Sequence, residues 1–105
     1  MIRRDVDDLP PAGFEWDPAK SRRNDSIPGR PSFREASTAF IDIDRRESID
    51  TRHSSGSETR WRLVGLTAIG QLVTVASTYR NTRIRIISAR PATRPETKSY
   101  EAKRR

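Results

Sequence analysis

Few side chains in this sequence can do chemistry, and most lie in its second half. His53 is the only histidine, and imidazole is the side chain best tuned to move protons near neutral pH. It sits in the run His53-Ser54-Ser55-Gly56-Ser57-Glu58-Thr59-Arg60, just before an Arg-bearing strand. Glu58 offers a carboxylate as a general base, although pairing with Arg60 or Arg62 is its plainer use. Ser54 and Ser55 do not make a hydrolase, because no G-x-S-x-G elbow is present and no acid can be named to orient the imidazole. Further on, Arg83-Ile84-Arg85-Ile86-Ile87-Ser88-Ala89-Arg90 alternates Arg and Ile with a period of two. Such a strand backs a core with one face and offers the other, here cationic, to an anion. Neighbouring guanidinium groups repel unless phosphate or water relieves them.

The elements that must position these groups follow from local pattern. Phe14-Glu15-Trp16 alternates as a short strand. Asp17-Pro18 is a helix start, with Asp as N-cap and Pro at the first helical position. The helix that follows, Ala19 to Asn24, is polar nearly all round. Ser32-Phe33-Arg34-Glu35 is a capping box, and Phe33, Ala36 and Phe40 form the apolar stripe of a short helix. Ile41-Asp42-Ile43 starts a strand that fades into the charged segment to Asp50, and residues 51–57 form a loop. Strands are predicted over residues 60–66, 72–79 and 83–90, with a turn at Ala68-Ile69-Gly70 and a tight hairpin at Asn81-Thr82. Thr93-Arg94-Pro95-Glu96 caps a final short helix through Tyr100.

A two-residue hairpin loop fixes the register. Arg80 then faces Arg83, Thr78 faces Arg85 and Ala76 faces Ile87 on one side. Tyr79 with Ile84, Ser77 with Ile86 and Val75 with Ser88 occupy the other, which takes the helices. The first face carries Arg80, Arg83 and Arg85 with no acid interleaved. Arg90 falls on the inner parity, at a strand end.

Composition bounds the rest. The 105 residues make one domain: a lead at residues 1–12 expected to be disordered, a folded part over 13–101 and a basic tail at 102–105. Hydrophobic residues are 32% and charged residues 33%, so the core is small. The net charge is +7, and lysine occurs only at positions 20, 98 and 103, so the positive charge is mostly arginine, whose planar fork matches phosphate. A GC-rich genome gives the same bias. With no cysteine, disulfides, thiolate metal sites and a cysteine nucleophile are excluded, which suits a cytoplasmic protein. No membrane span or signal peptide is expected, since no run approaches roughly 20 apolar residues. No metal site is expected from one histidine, and Asp42 with Asp44 is only a weak Mg²⁺ pair. No Gly-rich phosphate loop or helix-turn-helix spacing is present.

In order along the chain, Phe14-Glu15-Trp16-Asp17-Pro18-Ala19-Lys20 with Asn24, Ser32-Phe33 with Glu35-Ala36, His53-Ser54 with Glu58 and Arg60, Gly65-Leu66, and Arg85-Ile86-Ile87-Ser88-Ala89-Arg90 with Ala92, Thr93, Glu96 and Tyr100 resemble the BrnT toxin family. The resemblance runs from residue 14 to about residue 101. It implies an α+β, RelE-like fold: a twisted antiparallel sheet of four to five strands, with two N-terminal helices and a short C-terminal helix. It implies a ribonuclease toxin of a type II toxin–antitoxin system, neutralised by a BrnA-like antitoxin. DNA is then reached only through the antitoxin, and the RNA is cut free or on ribosomes. One departure is clear. Relatives carry Asn-x-x-Lys-His-Gly where this chain has Asn24-Asp25-Ser26-Ile27-Pro28-Gly29, with one extra residue before Ser32-Phe33.

On that resemblance the expected reaction is attack of the RNA 2′-hydroxyl on the adjacent phosphate, without metal or cofactor. His53 or Glu58 handles protons and Arg80, Arg83 and Arg85 stabilise the transition state. Lys20, Arg23, Arg60 and Arg90 hold flanking phosphates, and Tyr100 stacks on a base or anchors its helix. The alternative is a degenerate relative that keeps only antitoxin or RNA binding.

Overall fold

The computed structural model describes residues 9–104, so most of the expected N-terminal lead and Arg105 of the basic tail lie outside the described residues. The chain is α+β. Strands β1 (Phe14–Trp16), β2 (Arg46–Ile49), β3 (Trp61–Leu66), β4 (Leu72–Arg80) and β5 (Arg83–Pro91) form one sheet in the order β1-β5-β4-β3-β2. Helices α1 (Pro18–Asp25) and α2 (Phe33–Ser37) precede β2, and α3 (Arg94–Arg104) ends the described chain. No helix among the described residues is long and apolar enough to cross a membrane.

The sheet is mixed, which corrects the antiparallel expectation. β1 runs parallel to β5, pairing Phe14 with Ile84 and Trp16 with Ile86, while β2 to β5 are antiparallel. A three-residue strand joined to a partner some seventy residues away leaves no local signal of its direction. The second strand also differs. Ile41-Asp42-Ile43 is not extended: Thr38–Ile41 is a 3-10 turn, and the Asp42 Oδ1 carboxylate oxygen accepts from the Asp44 N–H at 2.9 Å. That Asx turn competes with strand pairing, so β2 starts later, inside the charged segment.

The core lies between the sheet and α2. Trp16, Phe33, Ala36, Ala39, Leu63, Val73, Val75, Ile86 and Ala89 are buried together, and a large apolar side chain buried this way contributes about 1.5–3 kcal/mol. Trp16 meets Phe33 edge to face at 5.8 Å. Gly65 lets the 3-10 turn press on β3, since a Cβ there would lie 3.0 Å from the Ala39 carbonyl oxygen. The predicted caps form. Asp17 accepts from Ala19 N, Ser32 Oγ from Glu35 N, and Thr93 and Glu96 bond each other's backbone N–H reciprocally.

The β4–β5 hairpin turns at Asn81 and Thr82, both with positive φ, as a primed turn requires. Its register agrees with expectation from Arg80–Arg83 to Ser77–Ile86. There a β-bulge intervenes: Ala76 pairs with Ser88, not Ile87, and Val75 with Ala89, not Ser88. One extra residue inverts the parity of the rest of β5. Ala89 turns inward, fully buried, while Ser88 and Arg90 turn outward. Arg90, expected on the inner parity, therefore pairs with Thr74 on the outer face.

That outer face is not bare. Thr74 alternates with the core residues Val73 and Val75, so it points away from the core, and its hydroxyl donates to Glu96 of α3 at 2.8 Å. The third helix thus lies on the face opposite α2, not on a single helical face. Tyr100 anchors it: it is 1% exposed and donates its hydroxyl to Asp42 Oδ2 at 2.6 Å. Asp42 Oδ2 also accepts from Leu66 N.

Candidate active site

The bulge and the residue 50–60 loop together build a groove of about 290 Å³ on the outer face. β3 supplies Arg62, β4 supplies Thr74 and Ala76, and β5 supplies Ile87, Ser88 and Arg90, with Asp50, His53 and Arg60 from the loop. Three cationic side chains and the sole histidine thus surround one hollow.

The loop is held from within. Asp50 N donates to the Arg60 carbonyl at 2.8 Å, Ser54 Oγ donates to the Asp50 carbonyl at 2.7 Å, and Arg60 N donates to Ser54 Oγ at 2.9 Å. Ser54 is thereby a loop brace. His53 remains exposed, and its Nδ1 lies 2.8 Å from Asp50 Oδ2. The hydrogen bond from His53 holds the Asp50 carboxyl below its usual range. A carboxylate on one ring nitrogen fixes the tautomer and leaves Nε2 for a substrate. Sequence reasoning named no acid to orient His53. The signal was Asp50 itself, three residues upstream, within reach across a turn.

The guanidinium groups differ in commitment. Arg62 is exposed and has no side-chain partner among the described residues. Arg60 bonds Glu58 at 3.0 Å. Arg90 makes a two-pronged pair with Glu96, at 2.8 and 3.1 Å. Glu96 is pulled down to about 2 by the Arg90 bond first, then by Thr93 N–H and Thr74, against the cost of its burial. Arg90 is raised in turn by the Glu96 bond.

A second basic hollow adjoins the groove. Lys20, Arg23, Asn24, Ile27 and Arg30 line it, together with Ile87 and Ser88, which also line the first. The bulge is the saddle between them. β1 pairs with β5 only as far as Ile86, and α1 closes the edge beyond. Buried Asn24 accepts from Ala89 N at 3.3 Å and from Arg30 Nη1 at 3.2 Å, and its amide donates to the Pro31 carbonyl at 2.9 Å.

A family model described as ribonuclease toxin, BrnT, of type II toxin–antitoxin system matches residues 16–96. The chain belongs to the BrnT family. No curated protein matches it significantly.

In this BrnT chain the residues singled out by sequence fall in five places. His53, Arg60 and Arg90 share the groove, and Lys20 and Arg23 line the adjoining hollow. Arg80 and Glu58 line a separate hollow at the hairpin end of the sheet, and Arg83 is exposed across from Arg80. Arg85 pairs with Glu15 at 2.8 Å across the parallel β1–β5 ladder, so the Arg face is not free of acids. Tyr100 has no ring face open to a base, and burial first, then its bond to Asp42, raises its hydroxyl to about 12. Sequence reasoning overlooked Asp50, Arg62, Thr74 and Ser88. The doublet Ile86-Ile87, which breaks the strand's alternation, is the signal that could have revealed the last.

Proposed function

We propose that this BrnT toxin cleaves RNA in the outer-face groove, by attack of the ribose 2′-hydroxyl on the adjacent phosphate. The observation that supports this reading is the His53–Asp50 pair facing three arginines in one hollow. The 2′-oxygen loses its proton as its bond to phosphorus forms, and the 5′-oxygen of the next nucleotide leaves and takes up a proton. His53 Nε2 transfers protons in this exchange, and Asp50 orients it and stabilises the imidazolium. Arg62, which has no competing side-chain partner among the described residues, stabilises the pentavalent transition state together with Arg60 and Arg90. The products carry a 2′,3′-cyclic phosphate and a 5′-hydroxyl, and no metal is needed.

Lys20 and Arg23 hold phosphates beyond the bulge, and Arg30 joins them as a third cation lining the same hollow. Glu58 acts through Arg60 in this reading, and Arg85 through the fold. The architecture is of the RelE-like kind. The toxin acts in the cytoplasm, a BrnA-like antitoxin neutralises it, and DNA contact belongs to the antitoxin.

A second reading has its own support. Arg60 and Arg90 already carry carboxylates, and Ile27-Pro28 stands where relatives hold Lys-His. A chain so arranged could keep antitoxin or RNA binding and cut nothing. Incubating the purified chain, freed of antitoxin, with single-stranded RNA separates the two. Cyclic-phosphate ends support the first reading. Intact RNA bound to a folded protein supports the second, and 5′-phosphate ends contradict the proposed chemistry.

A further inference from the structure

At the hairpin end of the sheet, two aromatic rings stand without a helix among the described residues to cover them. The core extends to Leu63, Val75 and Ile86. Beyond it, Trp61 and Tyr79 continue the same face of β3 and β4. Trp61 is half-buried and Tyr79 is 62% exposed, and the rings meet edge to face at 6.5 Å and 84°. With Ile49, which is 49% exposed, Glu58 and Arg80 they line a hollow of about 700 Å³. Each exposed ring is a standing apolar cost in water unless a flat partner covers it.

We propose that Trp61 and Tyr79 form a stacking subsite for an unpaired nucleobase of the RNA, outside the scissile position. The proposal rests on the ribonuclease reading above and deepens it. Three observations favour a base over other occupants. First, an edge-to-face pair leaves ring surface open, and a nucleobase can stack on it with the Arg80 guanidinium beside it. Second, Arg80 has no side-chain partner among the described residues, and the chain carries +7, which suits a polyanion. Third, this hollow and the groove, though centred on opposite faces of the sheet, are lined by residues adjacent along the chain. Ile49 and Trp61 pair across β2–β3 and line the hollow, while the next residues in that ladder, Asp50 and Arg60, joined by a 2.8 Å hydrogen bond, line the groove. An RNA strand leaving His53 passes round that rung, from the outer face to the core face, to arrive at the aromatic pair.

The test uses a ten-nucleotide single-stranded 2′-O-methyl RNA, which lacks the attacking hydroxyl, so binding is read without cutting. Tyr79→Ala and Trp61→Ala are each expected to weaken its binding roughly five- to hundredfold, the range for loss of one stacked base. Trp61→Phe, which keeps a ring, is expected to stay within threefold. Binding of inorganic tripolyphosphate is expected to be unchanged in all three, because the subsite reads a base and not a charge. Oligonucleotide binding within twofold of the parent in both Ala variants overturns the subsite and leaves the ribonuclease reading standing. So does loss of antitoxin binding with oligonucleotide binding intact, which would assign the face to the protein partner. Failure of the parent protein to bind the oligonucleotide at all overturns both. Circular dichroism of Trp61→Ala guards against misfolding, and Tyr79→Ala, at an exposed site, carries the test alone if that variant does not fold.

Discussion

Arg85 Nη1 lies 2.8 Å from Glu15 Oε2, across the only parallel pairing among the described strands. The pair ties β1 to β5 and puts a carboxylate on what the hairpin pattern alone presents as an all-cationic face. An ion pair with both members about a quarter exposed is worth at most about 1 kcal/mol. Arg85→Ala is therefore expected to lower stability by up to about 1 kcal/mol. Its RNA cleavage rate should stay within about threefold of the parent, corresponding to under ~1 kcal/mol in barrier height. Urea unfolding of the single and double variants with Glu15→Ala measures the coupling, and a cleavage loss of about a hundredfold or more would return Arg85 to the reaction.

Glu96 predicts acid sensitivity. Its folded value, about 2, lies below the ordinary carboxylate value. Its stabilisation is therefore fully present above the unfolded value of about 4.3 and is lost as pH falls through that value towards about 2. Glu96→Gln removes this dependence and should cost roughly 1–3 kcal/mol at pH 7. Chemical unfolding at pH 7 and at pH 3 should show the gap between variant and parent reduced by roughly half at the lower pH, because a carboxyl titrating at about 2 is still mostly ionised there. An undiminished gap at pH 3 would contradict the assignment.

Tyr100 predicts a purely structural cost. Tyr100→Phe removes the donor to Asp42 and should destabilise by about 1–2 kcal/mol, while Tyr100→Ala also opens a cavity and should cost roughly 3–5 kcal/mol. Thermal unfolding measures both. Tyr100→Phe should cleave RNA at the parent's rate at a temperature where both are folded. A tenfold loss there would mean that the hydroxyl reaches the reaction.

Much of the frame was legible from sequence because it is local. Asp17-Pro18, Ser32 with Glu35 and Thr93 with Glu96 cap helices by chemistry that spans at most three residues. Asn81-Thr82 sets a hairpin whose first four rungs follow from alternation. What stayed hidden depends on single displaced residues or distant partners. The extra residue at Ile87 turns Ser88 and Arg90 towards Arg62, and the Ile86-Ile87 break in the alternation is its one local sign. Asp42 uses its carboxylate to close a turn and anchor Tyr100, which displaces the strand expected there. β1 finds β5 through the fold, and with it Glu15 finds Arg85. The Arg/Ile strand is two-faced, as its alternation predicts, but its hairpin half and its bulged half face different sites.

Asp50 should matter through His53. Asp50→Asn keeps the shape but presents an uncharged partner to Nδ1, so the imidazolium loses its counter-charge. Cleavage should fall by about tenfold to a hundredfold, measured as the single-turnover rate at pH 7. A rate within threefold of the parent would make Asp50 a loop brace only.

In the proposed reaction His53 transfers protons in the groove. The rate of cleavage of a single-stranded RNA, measured under single-turnover conditions for the parent and for His53→Ala, tests it most directly. The imidazole is 66% exposed, so its removal is expected to leave the fold intact, which circular dichroism checks. A loss of about a hundredfold to ten-thousandfold is expected, the usual contribution of general acid–base catalysis. Cleavage by His53→Ala within threefold of the parent would contradict it.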